Sequence, residues 1–188
     1  MDEASDEDLV RRVAQGDEPA FRLLARRYAR RAISLARRIT GNDADAEEIV
    51  QEALLRVWVN APRWRPVAAF RTWFYRVVLN LCLSRGRRAP FLPLPAAGDP
   101  IDAAADLENR LHDEEVARLV AAAVAALPDR QRAAIVLTYE EGLSNAETAQ
   151  ILDTSISSVE ALLVRAKRTL RDKLGSLAGL TEKPDETR

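Results

Sequence analysis

Residues 144–171 have the spacing of a helix-turn-helix, a motif whose second helix enters the major groove of DNA. A short helical pattern is followed by a tight connection at 153–155 and then by a longer helical pattern. Ser157 and Ser158 stand at the start of the second helix, where backbone N–H groups can meet phosphate. Because the second half of this helix is basic, the segment predicts DNA binding. The alternative is an ordinary helical hairpin with a solvated basic face.

A second cluster combines aromatic and basic side chains between Trp58 and Arg88. Aromatic faces and guanidinium groups together can hold unstacked single-stranded bases beside their phosphate backbone. Aromatic residues at helical spacing also build hydrophobic cores, and we expect Trp73 and Val77 to be mainly core. The arginines are therefore the more informative part of this stretch.

A third cluster is an acidic helical segment at residues 43–58. Several of its side chains recur at three- and four-residue spacing and so fall on overlapping faces of one helix. They are Asp45, Glu48, Gln51, Glu52 and Leu55. An exposed acidic face with apolar neighbours suits docking to a basic partner helix, whereas a solvated helix start is the alternative.

The elements that must position these clusters all have helical periodicity, which predicts an all-α fold. Ser5, Asp17 and Asp43 are expected to begin the first three helices, and Gly41 is expected to end the second. Ser144 and Glu147 have the spacing of a capping box, and Gly175 is expected to end the last helix. The predicted helices run over about residues 5–16, 17–40, 43–59, 67–85, 106–126, 128–139, 144–152 and 157–174.

Proline and charge divide the chain into two helical arms. Residues 89–104 contain four prolines, which forbid a continuous helix. Residues 1–88 carry a net charge of +5, residues 89–126 a net charge of −5 and residues 127–188 a net charge of −1. We therefore predict two small helical domains joined by a proline-containing acidic linker. The predicted limits are 5–88 for the N-terminal domain, 89–109 for the linker, 110–175 for the helix-turn-helix domain and 176–188 for a flexible tail.

The composition argues against several other classes of protein. The single cysteine, Cys82, cannot form an internal disulfide and is expected to be a small core residue, and no Cys/His set suggests a metal site. No apolar run is long enough to insert into a membrane, and the acidic N-terminus is unlike a signal peptide, so we expect a cytoplasmic protein. His112 has no nucleophile or ligand set around it in the sequence. We therefore expect no catalytic residue, no cofactor and no enzymatic activity.

Three motifs in the same chain resemble those of bacterial sigma factors of the extracytoplasmic-function (ECF) group, in the sigma-70 family. DAEEIVQEALLRVW is similar to the helix by which that family binds core RNA polymerase. FRTWFYRVVLNLCLSRGRR is similar to its segment for recognising and melting the −10 promoter element. LPDRQRAAIVLTYEEGLSNAETAQIL, followed by SVEALLVRAKRTLR, is similar to its −35-binding domain. The resemblance covers about residues 6–88 and 110–174.

The resemblance implies a promoter-specificity subunit that directs core polymerase to specific promoters and initiates transcription. Its implied partners are the coiled coil of the largest polymerase subunit, promoter DNA and an anti-sigma factor that is often membrane-anchored. The implied core-binding residues are Asp45, Glu48, Gln51, Glu52 and Leu55. The implied −10 contacts are Phe70, Asn80, Ser84, Arg85 and Arg88. The implied −35 contacts are Ser157, Ser158, Glu160, Ala161, Val164, Arg165 and Arg168, which recur along one helical stripe.

Two departures from the family pattern bear on the −35 element. Many members have glycine where this chain has Asp153, and many have a basic pair around Glu160 and Leu162. Glu160 would repel phosphate unless it accepts a hydrogen bond from a cytosine amino group.

Two other functions compete with this interpretation. A sigma-like decoy would only titrate an anti-sigma factor, but it should lose the basic DNA face, which this chain keeps. A simple DNA-binding regulator would use residues 127–174 alone, and this leaves the N-terminal arm unexplained.

Overall fold

Side-chain caps fix where the first helices begin in the computed structural model, which describes residues 4–66, 68–86 and 107–181. Helix α1 (Asp6–Val13) begins after Ser5, whose hydroxyl accepts from the backbone N–H of Asp8. Helix α2 (Glu18–Thr40) begins after Asp17 in the same way and ends at Gly41. Gly41 has a φ of 70°, in the left-handed region that glycine adopts without strain. These caps are the ones that the sequence predicts.

In the N-terminal half, α3 differs from the prediction in its capping residue and α4 differs in the position of its start. Helix α3 (Asp43–Asn60) is capped by Asn42, whose side-chain oxygen accepts from the N–H of Asp45 at 3.1 Å, and not by Asp43. After a 3₁₀ turn at Ala61–Arg63, helix α4 (Phe70–Gly86) begins three residues later than its predicted start at residue 67. The carboxylate of Glu7 accepts a hydrogen bond from the backbone N–H of Phe70 at 3.2 Å. A side chain far away in the sequence therefore binds the first N–H group of α4.

An aromatic cluster forms the centre of the first four helices. The ring of Tyr28 on α2 meets the rings of Phe70, Phe74 and Tyr75 on α4 edge-on, with centroids 5.3, 5.6 and 6.4 Å away. Such edge-to-face pairs contribute about 0.5–1.5 kcal/mol beyond the burial of their area. Phe70, Phe74 and Tyr75 are each no more than 1% exposed. The cluster therefore holds one face of α4 against α2.

Four further helices build the C-terminal half. Helix α5 spans Leu107–Ala125, so residues 107–109 of the predicted linker are helical, and the rest of that linker lies outside the described residues. Helix α6 (Asp129–Ile135) continues into a π-helical turn at Val136–Glu140. No strand occurs in the described ranges, and the predicted all-α class is confirmed.

The helix-turn-helix consists of α7 (Asn145–Leu152) and α8 (Ile156–Thr181). The predicted capping box of Ser144 and Glu147 begins α7. Helix α8 begins one residue earlier than predicted, because the hydroxyl of Ser155 accepts from the N–H of Ser158. It continues through Gly175 to Thr181, so the predicted end at Gly175 is wrong and the predicted flexible tail is helical as far as Thr181.

The two halves pack against each other, and a buried arginine links them. Arg132 on α6 is 6% exposed. Its guanidinium donates to the carbonyl of Ile39 near the end of α2 at 2.9 Å and to the carbonyls of Ala125 and Leu127 at 2.6 and 3.2 Å. It also pairs with Asp129 at 2.7 Å. One side chain thus satisfies backbone acceptors in both halves.

Replacing this arginine should destabilise the whole chain. In Arg132→Leu, three carbonyl groups lose a charged donor in a site with little access to water. We expect the free energy of unfolding to fall by about 3 kcal/mol, the cost of leaving buried acceptors unsatisfied. Urea denaturation monitored by circular dichroism measures this change. Arg130→Leu is the matched control, since Arg130 is an exposed residue of the same helix and donates only to the carbonyl of Leu152; equal losses in both variants would contradict the assignment.

Candidate functional site

A groove between α3 and α4 brings together most of the predicted core-binding residues. Its volume is about 530 Å³. Helix α3 lines it with Glu48, Gln51, Glu52 and Leu55, and Leu55 is 55% exposed. Helix α4 lines the opposite side with Leu81, Ser84 and Arg85. The exposed leucine gives this groove apolar area, and its two carboxylates are each paired, Glu48 with Arg85 and Glu52 with Arg56.

Arg85 connects two sets of residues that the sequence assigns to different partners. It was expected to contact DNA, but its guanidinium pairs with the carboxylate of Glu48 at 2.6 Å and lies 3.6 Å from that of Asp45. The hydrogen bond from Arg85 and the charge of that group hold the pKa of Glu48 below its ordinary value. The same carboxylate raises the pKa of Arg85. Arg85 therefore belongs electrostatically to the groove.

The exposed strip of α4 is narrow because most of the helix is buried. Arg76, Asn80 and Ser84 are exposed at four-residue spacing and form one stripe. Phe70, which is predicted to contact the −10 element, is 1% exposed and packs in the aromatic cluster, so its ring is covered by the protein in this conformation. Arg88 lies outside the described residues. Trp73 and Val77 are expected to be mainly core residues. In the structure they are half-buried and pack against the core.

Arg76 is exposed on the same stripe as Asn80 but is not among the predicted site residues, although its four-residue spacing from Asn80 could have indicated it. Its guanidinium pairs with Asp153 of the helix-turn-helix at 3.1 Å. Asp153 has a φ of 51°, the left-handed conformation in which glycine is favoured, and it ends α7. An aspartate in this position can make an ion pair that glycine could not make.

A second contact joins α4 to the C-terminal half, and the spacing of residues in the sequence does not predict it. The buried Tyr75 donates its hydroxyl to the carboxylate of Glu141 at 2.6 Å, and Arg71 donates to the backbone carbonyl of Glu141. Burial, with the carboxylate as acceptor, raises the pKa of Tyr75. These residues are separated by 66 and 70 positions in the sequence, so no local pattern relates them.

The predicted −35 surface lies on α8 as one exposed stripe. Val159, Leu163 and Ala166 are buried on the other side of the helix, and Leu170 is half-buried against the core. Ser158 is half-buried, and its N–H is already bound by Ser155, so that donor is not free for phosphate. The exposed members of the stripe are Ser157, Glu160, Ala161, Val164, Arg165 and Arg168.

Other kinds of site are absent from the described ranges. No group of three or more His, Cys, Asp or Glu side chains there could hold a metal ion. No helix in the same ranges has the length and apolar character needed to cross a bilayer. Cys82 is buried, and burial raises the pKa of its thiol to about 12, which keeps the thiol protonated at neutral pH.

Two family patterns match the two halves of the chain. Sigma-70 region 2 matches residues 24–90, and sigma-70 region 4 matches residues 117–170. The ECF RNA polymerase sigma-E factor of Escherichia coli strain K12 is 31% identical over 187 residues, covering 94% of this chain and 97% of that protein. The chain belongs to the sigma-70 family as an ECF sigma factor. The sigma-E factor of Haemophilus influenzae is 30% identical to this sigma factor and covers 94% of it, with 98% of that relative matched.

Two solved structures share the fold of this chain. CnrH in complex with the cytosolic domain of CnrY has a TM-score of 0.71 and 24% identity, over 92% of this sigma factor and 99% of that chain. The sigma factor RpoE of Bartonella quintana, in complex with the anti-sigma factor NepR, has a TM-score of 0.65 and 20% identity. The match covers 82% of this sigma factor and 96% of the RpoE chain. The two-part helical fold that the resemblance implies is therefore confirmed.

Removing Arg85 should change how the stability of this sigma factor depends on pH. A carboxylate with a lowered pKa contributes stability above its unfolded pKa and loses it as the pH falls through the folded value. The ordinary pKa of this carboxyl group is 4.5. We therefore expect wild type to lose more stability than Arg85→Gln as the pH falls from 6 to about 3.

Urea denaturation across that range measures the difference, and an NMR titration of the Glu48 carboxyl group measures its pKa directly. Arg65→Gln is the control, since Arg65 is exposed and has no carboxylate partner in the part of the chain that the structure describes. A Glu48 pKa that is unchanged in Arg85→Gln would rule out Arg85 as the cause of the shift.

Proposed function

We propose that this sigma factor binds core RNA polymerase through the groove between α3 and α4. The observation that carries the proposal is the exposed Leu55 beside the carboxylates of Glu48 and Glu52 in one concave surface. A basic helix would bury the leucine and compete with Arg85 and Arg56 for the two carboxylates. The expected partner is the coiled coil of the largest polymerase subunit, and Asp45 and Gln51 belong to the same proposed surface.

We propose the exposed stripe of α4 as the −10 surface. Asn80 is its central residue, and its amide can both donate to and accept from an unstacked base. Ser84 borders the core-binding groove, and Arg76 can contact phosphate once it leaves Asp153. Because Arg85 is paired with Glu48, it becomes available to DNA only when another cation takes its place.

We propose the stripe of α8 as the −35 surface, with Arg165 as its principal base-reading or phosphate-binding residue. Arg165 and Arg168 are exposed and have no carboxylate partner within the described residues. Glu160, Ala161 and Val164 flank them on the same stripe, and Val164 is 68% exposed. A small apolar side chain such as Val164 can contact a thymine methyl group.

We also propose an anti-sigma factor as a partner of this chain. The support is the fold that it shares with CnrH and with RpoE, each solved in complex with the partner protein named above. Anchorage of that partner in a membrane is a finer proposal from the family resemblance. We further propose that the chain acts by binding and not by catalysis, and that it works in the cytoplasm, where core polymerase is found. The exposed arginines of α8 argue against the decoy alternative, because a decoy should lose its basic DNA-binding face.

Run-off transcription with purified core polymerase tests the proposed function. Wild type should give promoter-dependent transcripts, whereas a decoy should give none. Glu52→Arg places a cation opposite the basic partner helix and should weaken assembly by about 1–3 kcal/mol, which is a roughly 5- to 150-fold loss of affinity for core. Glu47→Arg is the control, because Glu47 is exposed on α3 outside the groove. Equal core affinities for the two folded variants would remove this groove from the interface.

Replacing Arg165 distinguishes base reading from phosphate binding. If Arg165 reads a base, Arg165→Ala should lose about 1–3 kcal/mol on the preferred −35 sequence and relax the preference at one position. If it binds phosphate, the loss should be equal for all sequences. Binding of holoenzyme to a panel of −35 variants separates the two. Lys173→Ala is the control, since Lys173 is exposed on α8 outside the stripe; if both variants bind like wild type, the −35 surface lies elsewhere.

A further inference from the structure

Helix α2 concentrates arginine on one half of its circumference. At 100° per residue, its seven arginines fall within half a turn, and the opposite half carries all the buried residues of the helix except Ala20. The only acidic residue of this helix is Glu18 in its first turn. The arginines are Arg22, Arg26, Arg27, Arg30, Arg31, Arg37 and Arg38.

Four of these arginines are neutralised by carboxylates, and three are not. The four ion pairs are Arg22 with Glu18, Arg27 with Asp6, Arg37 with Asp43 and Arg38 with Glu140. Arg26, Arg30 and Arg31 are exposed and have no carboxylate partner in the part of the chain that the structure describes. The uncompensated charge of α2 is therefore confined to these three residues, which we call the arginine face.

We propose that the arginine face binds phosphate groups of double-stranded promoter DNA, at positions outside those that the α4 and α8 stripes read. This inference rests on the proposed function and adds a third DNA-contacting surface to it. Guanidinium groups bind phosphate in a bidentate geometry. Arg26 and Arg30 are four residues apart, which places them about 6 Å apart along the helix axis, within reach of neighbouring phosphates.

The side chains around the arginine face favour DNA over a protein partner. Protein interfaces have an apolar and aromatic centre. Here the only large apolar side chain that is exposed on the described α2 surface is Leu23, at 38%, and Ser34 adds a hydroxyl group. No exposed aromatic, Asn or Gln side chain of α2 could read a base edge. The contact should therefore add affinity without sequence preference.

The acidic residues near this face determine the side from which DNA can approach. Arg30 and Arg31 also line a groove of about 590 Å³, whose far side is formed by Glu140, Glu141 and Gly142. The same groove is lined by Arg37 and Arg38, which pair with Asp43 and Glu140, so this side of α2 is already engaged by carboxylates of the protein. The open side of the face is the one that bears Arg26, and we expect the phosphate backbone to lie there.

The salt dependence of promoter binding tests the proposal. Holoenzyme assembled from core polymerase and the full chain is titrated with a fluorescent duplex promoter fragment at several salt concentrations. Each phosphate contact changes the slope of log K against log salt concentration by about 0.9, so Arg26→Gln/Arg30→Gln should reduce the slope by about two. The preference among −10 and −35 variants should not change, and circular dichroism should report an unchanged fold.

Arg11→Gln/Arg118→Gln is the matched control, since it removes two exposed arginines outside α2 and changes the net charge by the same amount. Its slope should equal that of wild type. A slope in the Arg26/Arg30 variant that equals the wild-type slope would overturn the proposal. If that variant also assembled more weakly with core, the arginine face would bind protein and not DNA. Promoter-dependent transcription by wild type is scored separately, so failure of the proposed function is distinguishable from failure of the arginine face.

Discussion

The burial of Phe70, Phe74 and Tyr75 against Tyr28 fixes the rotation of α4 about its own axis, and the binding surfaces depend on that rotation. An aromatic cluster of this kind tolerates little rotation, because each ring fills space that no other side chain occupies. With one face of α4 committed to the core, only the strip from Arg76 through Asn80 to Ser84 remains exposed. The cluster thus determines which polar side chains α4 can offer to a partner.

In this orientation, α4 contacts three parts of the molecule, which are α2, α3 and the C-terminal half. Its C-terminal end closes the α3 groove through Leu81, Ser84 and Arg85. Its first turns contact the C-terminal half through Arg76 with Asp153 and Tyr75 with Glu141. On the proposed function, a basic partner in the groove would compete with Arg85 for Glu48, and DNA would compete with Asp153 for Arg76. The proposed protein and DNA surfaces would then be linked through ion pairs on one helix.

Local rules determined the all-α class, most of the helix starts and the exposed stripe of α8. Ser5, Asp17 and Ser144 cap the helices that follow them because each needs only a backbone N–H two or three residues away. The α8 stripe follows from helical periodicity, and the inward positions of Val159, Leu163 and Ala166 agree with it. The assignment to sigma-70 regions 2 and 4 likewise followed from motifs read in order along the chain.

Only the tertiary structure decided what these elements contact. Glu7 sets the start of α4, Arg132 satisfies a carbonyl of α2, and Arg85 turns to Glu48 instead of outward to DNA. Phe70 is buried for the same reason: a residue in a basic, aromatic stretch can face either partner or core, and the packing of α2 against α4 selects the core. These contacts join residues far apart in the sequence. Periodicity specifies which side of a helix is apolar, but not which distant donor, acceptor or charge will lie opposite it.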